Sequence, residues 1–107
     1  MSADRSTLPH VLSEADALTE LQESAASYRR QSIVALGALV RLDERLDGEP
    51  VVRIVLLLED PADETWELDQ VIELRRALGR RAAELGLPPV SLTLVAQSEP
   101  AARELFV

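Results

Sequence analysis

Between Val51 and Val95 the chain reads strand, helix, strand without interruption. Val51-Val52-Arg53-Ile54-Val55-Leu56-Leu57-Leu58 is a short apolar run, and Val90-Ser91-Leu92-Thr93-Leu94-Val95 alternates apolar and polar residues. The connection between them is long enough for a crossover, so the two strands can lie parallel in one sheet. That unit sets the expected class: a small single α/β domain, ordered α-β-α-β, with one parallel βαβ unit and a long N-terminal helix.

The crossover helix has a clear face and a clear end. At 100° per residue Leu68, Val71, Ile72, Leu74, Leu78, Ala82 and Leu85 gather on one side. Asp60-Pro61 offers an N-cap followed by proline in the first turn, with regular helix beginning there or as late as Thr65 or Glu67. Gly86 suits the left-handed position after the last turn, Leu87 can pack back, and Pro88-Pro89 prevents continuation. Arg80-Arg81 complement the dipole near its negative end.

Upstream, residues 1–12 show no period and are expected to form a flexible tail. Ser13 is a good N-cap, Glu14 and Asp16 favour the positive end of the dipole, and Leu12 can staple to Ala17. Leu18, Leu21, Ala25, Tyr28, Ser32, Ala35, Leu39, Leu42 and Leu46 then recur at heptad spacing. Within 32–42 the apolar residues Ile33, Val34, Leu36, Leu39, Val40 and Leu42 surround a helix on nearly every side. A strand competes there, because Ile33-Val34 and Leu39-Val40 are β-formers. Ala35, Leu36, Ala38 and Leu39, with Arg41 to Leu46 following, favour helix, which is the reading adopted; Gly37 weakens both. Asp47-Gly48-Glu49-Pro50 ends the segment. The domain is expected to span 13–97, with a short C-terminal turn or tail over 98–107 that holds Pro100 just inside its start.

Composition narrows the function. The core must be aliphatic, since Tyr28, Trp66 and Phe106 are the whole aromatic content of 107 residues. No cysteine is present, which excludes disulfides, thiolate metal sites and a thiol nucleophile. The formal charge of −8 would be repelled by a nucleic-acid backbone. Arginine is the only strong cation, with adjacent pairs at Arg29-Arg30, Arg75-Arg76 and Arg80-Arg81 and with Arg53 alone on a strand. No apolar run approaches the ~20 residues that span a bilayer, and no leader pattern is visible. The expected location is the cytoplasm, with neither nucleic acid nor membrane as partner.

Chemistry has few candidates. Glu59, Asp60 and Asp63 follow the first strand of the βαβ unit, where open α/β sheets bind ligands, so a small-molecule sensor or an acidic Mg²⁺ site would use them. The same acidic run is what a helix N-terminus attracts, and it lacks the spacing of an EF-hand loop. His10 lies alone in the tail, and neither a Gly-rich phosphate loop nor a nucleophile elbow occurs. The chain is therefore read as non-enzymatic, with no metal and no cofactor.

A protein-interaction module is the expected function: a small acidic adaptor, regulatory subunit or inhibitor-like protein, forming a homodimer or meeting a foreign partner. Leu39, on the all-round apolar helix, is the expected dimer contact. Arg75 falls inside an apolar arc, either as a snorkelling sheet-edge residue or as a carboxylate clamp. Trp66 either closes the core or stands free as an interface anchor. Leu105 and Phe106, with Val107, end the chain on apolar side chains that must dock on the molecule or on a partner.

Overall fold

Ser13 caps the first helix as its sequence predicts. In the computed structural model, which describes residues 13–106, its Oγ accepts the Asp16 N–H at 3.1 Å. Helix α1 runs Glu14–Ala26 and buries Ala17, Leu21 and Ala25. The tail 1–12, with the Leu12 staple and His10, lies outside the described residues, as does Val107.

After α1 the structure departs from the helical reading. Strand β1 is Arg29–Arg30, β2 is Ile33–Glu44 and β3 is Pro50–Leu58. Residues 32–42 are thus not helix, and no long N-terminal helix or all-round apolar helix face exists there. Between Ala35 and Gly37 the register of β2 against β3 shifts. On either side of that bulge the buried residues alternate, Ile33 and Ala35 before it and Ala38 after it, but the two halves are out of phase. A period of two broken in the middle imitates an all-round apolar helix. The physical reason for the strand is β3, which would otherwise leave a row of buried backbone groups without a ladder partner.

Asp47-Gly48 joins β2 to β3 rather than ending a helix. The Arg45 amide donates to the Glu49 carbonyl at 2.8 Å and the Gly48 amide to the Arg45 carbonyl at 2.9 Å. Gly48 takes φ +88°, as a three-residue hairpin loop closed by a bulge requires. Helix α2 runs Leu68–Glu84, with Glu67 and not Asp60 as its N-cap. Its end is as predicted: Gly86 has φ +75°, and the Leu87 and Gly86 amides donate back to the Ala82 and Ala83 carbonyls. Strand β4 is Val90–Ala96, and α3 is Pro100–Phe106, opening on the expected proline.

The chain is therefore an α/β fold with a four-stranded mixed sheet, order β1-β2-β3-β4. The first two pairings are antiparallel, and β3 with β4 is the expected parallel pair. Helices α1 and α2 cover one face. Leu21, Ile33, Val52, Ile54, Leu56, Leu58, Leu74 and Leu78 form the core between helices and sheet. Arg81 ties the helices together, donating to Ser24 Oγ at 3.2 Å and pairing with Glu20 at 3.1 Å. The helical wheel overextends at the start of α2, where Leu68 is 71% exposed and Ile72 only partly covered.

This partition predicts two different costs. Leu56→Ala, at a fully buried site, should lower the unfolding free energy in urea by about 2–5 kcal/mol. Leu68→Ala should stay within about 0.5 kcal/mol of the parent, because most of that side chain is already in water.

Candidate functional site

Cross-strand register places a second set of residues on the sheet face away from α1 and α2. Gly37, Leu57 and Val95 form one row across β2, β3 and β4; Leu39, Val55 and Thr93 form the next; Arg41, Arg53 and Ser91 the third; Asp43 pairs with Val51 beyond. Among the described residues the short α3 packs on this face. The Phe106 ring packs over Gly37, where an added Cβ would lie 3.4 Å from it, an ordinary van der Waals contact. Ala102 is buried, while Leu105 is 45% exposed.

Leu39 and Leu105 both line a groove of about 390 Å³, together with Val40, Arg41, Arg53, Val55 and Gln22 of α1. Two of the sequence candidates are thus brought together, and Phe106 docks on its own domain. Trp66 lies elsewhere. It precedes α2 and packs partly buried against the core, with its indole N–H donating to the Glu59 carbonyl at 3.4 Å. Arg75 is exposed on α2 and lines a groove with Pro89, Val90 and Ser91 at the β4 side of the sheet.

The acidic run is dispersed. Asp60 Oδ1 accepts the Ser98 amide at 3.0 Å, and Glu59 and Asp63 are exposed. Among the described residues no three Asp, Glu or His side chains come together as a metal-ligand group. A polar recess of about 160 Å³ between Tyr28, Arg30, Gln70 and Glu73 is internally bonded. Gln70 accepts from Ser32, and Arg30 reaches Glu73 at 3.6 Å. Burial holds the Tyr28 phenol above its ordinary pKa, with Arg30 pulling it down and Glu73 pushing it up. The recess fastens the β1 hairpin to α2.

What the sequence reading missed are the two open edges of the sheet. In a strand, N–H and C=O of one residue point to the same side and those of the next to the other. The Arg45 to Glu49 bond fixes the odd residues of β2 from Gly37 to Arg45 toward β3. Ala38, Val40, Leu42 and Glu44 therefore turn their backbone outward. The Glu44 amide is taken by Asp43 Oδ1 at 2.8 Å, which leaves Ala38, Val40 and Leu42 open among the described residues. On β4 the Val52 bond to the Pro89 carbonyl and the Gln97 bond to Leu58 turn the even residues outward. The Ala96 amide is taken by Glu99 at 2.8 Å, so Val90, Leu92 and Leu94 remain open among the described residues. The Asp47-Gly48 dipeptide between two apolar runs is the sequence signal that would have revealed the hairpin, and with it the β2 edge.

Asp43 is the most strongly held carboxylate on this surface. Arg53 Nε donates to its Oδ2 at 2.6 Å, and Arg41 stands at 3.5 Å. The Arg53 hydrogen bond, followed by the Glu44 amide, holds the Asp43 carboxyl below its ordinary pKa. A depressed native pKa means that the unfolded chain binds the proton first. The contribution is therefore present above about pH 4 and lost as pH falls through the native value. Asp43→Asn should lower stability at neutral pH and show a shallower acid decline, so that its urea midpoints converge on those of the parent below that range. Parallel profiles would mean that the pair carries no native-state preference. Comparison with protein-family models, with curated proteins and with solved structures finds no match to this chain.

Proposed function

We propose that the chain is a non-enzymatic protein-interaction module that works as a homodimer joined through the open edge of β2. The observation that carries the reading is the set of outward backbone groups at Ala38, Val40 and Leu42, flanked by Leu36 and Leu39 at 44% and 39% exposure. Long apolar edges of this kind pair with another strand unless they are blunted. Asp43 blunts one end only.

A second copy fits because the open set is symmetric about its middle. Antiparallel pairing across a two-fold at Val40 sets Ala38 opposite Leu42 of the other copy and Val40 opposite Val40. Every open group is then satisfied, and the two sheets become continuous. The exposed Leu36 and Leu39 would lose contact with water at the same seam. The original reason for a dimer, an apolar helix, is gone; the edge replaces it.

Light scattering coupled to gel filtration at micromolar concentration should give twice the chain mass. Val40→Pro should give a monomer with an unchanged circular dichroism spectrum, since proline is tolerated where the amide faces solvent and removes the central bonds. A monomeric parent protein, or a Val40→Pro variant that stays dimeric, would overturn the proposal.

A further inference from the structure

The opposite edge of the sheet carries a different chemistry. Around the start of β4 lies a groove of about 350 Å³ lined by Arg45, Arg53 and Arg75 with Val51, Pro89 and Ser91. A contiguous hollow continues past Arg75 to Gly79. Among the described residues no carboxylate lines either hollow, although the chain carries a formal charge of −8. Arg75 makes no ion pair and no side-chain hydrogen bond among the described residues. Arg53 gives its Nε to Asp43, but its Nη groups donate no hydrogen bond there. Arg45 reaches Asp47 only at 3.9 Å.

These guanidinium groups bracket a strand edge. Arg75 comes from α2, on one face of the sheet; Arg53 lies in the row with Ser91 on the other. Between them Val90, Leu92 and Leu94 turn outward N–H and C=O groups that have no partner among the described residues. This edge starts with Val90, the first residue of β4, and Glu99 on the Ala96 amide closes it at the other end. An extended peptide alternates its side chains between the two faces of the sheet it joins. Adjacent acidic residues on such a peptide would meet Arg75 on one side and Arg53 with Arg45 on the other. Guanidinium groups suit carboxylates because their donor forks match the two oxygens.

We propose that the β4 edge binds an extended acidic peptide segment of another protein, added as a fifth strand beside Val90–Leu94, with its carboxylates held by Arg75 on one face and by Arg53 and Arg45 on the other. This site is separate from the β2 edge, and the Val40→Pro monomer should bind the peptide as the parent does. The test is a nuclear magnetic resonance titration of the isotopically labelled full chain with a short N-acetylated peptide of alternating Glu-Glu and Val-Val pairs. Saturable shifts centred on the Val90, Leu92 and Leu94 amides are expected, with no binding of the matching Lys-Lys peptide. Arg75→Glu, at an exposed helical position, should keep the parent melting temperature and weaken binding by about tenfold, and added salt should weaken it further. Absence of saturable shifts, shifts confined to β2, or equal binding by Arg75→Glu would overturn the proposal. So would equally tight binding of a short single-stranded oligonucleotide, which would mark the groove as a general polyanion surface.

Discussion

The central strand β3 is the constraint on which the rest of this structure depends. Its residues from Val51 to Leu58 are apolar apart from Arg53, and most are buried. Its even residues bond β4 and its odd residues bond β2, so neither neighbour can be dispensed with. A buried amide or carbonyl without a partner costs about 1–3 kcal/mol, and a strand presents such groups in a row. The antiparallel hairpin on one side and the parallel crossover on the other both follow from that requirement.

Cover on the two faces is unequal. Two helices seal one face with Leu21, Ala25, Leu74, Leu78 and Ala82, and the small alanines let them come close to the sheet. The other face has α3, whose Phe106 ring lies over Gly37. Beyond its reach the rows change character, from Leu39 and Val55 to the arginines and Asp43. The molecule thus presents an apolar edge at β2 and a cationic one at β4. Each is closed at one end by a carboxylate that takes the last outward amide, Asp43 on Glu44 and Glu99 on Ala96. Those two side chains shorten the open stretch of each edge, a common way in which sheet proteins limit edge pairing.

Much of the parallel unit is legible in the residues themselves. The Val51–Leu58 run, the Leu74-Leu78-Ala82 face, the Gly86 stop and the alternation after Pro89 each specify a local structure that tertiary contacts then reinforce. Ser13 and Pro100 likewise mark helix starts through capping chemistry that acts within a turn. The candidate surfaces were legible only in part. Arg75 could be singled out as a charge inside an apolar arc, Leu39 as part of an apolar segment and Leu105 as one of the apolar C-terminal residues, but nothing local says that Leu39 and Leu105 share a groove or that Arg75 and Arg53 bracket one edge.

Between Ile33 and Glu44 the sequence is balanced, because Ala, Leu and Arg favour helix while Ile and Val favour strand. The bulge at Leu36 hides the period of two, and the pairing demand of β3 decides in favour of the strand. Sequence by itself determined the elements whose signals lie within one turn or one strand: the caps, the stops and the apolar runs. Tertiary structure alone decided the hairpin partner of β3, the face that α3 covers and the backbone groups left open at each edge, because those depend on bonds between residues far apart in the chain.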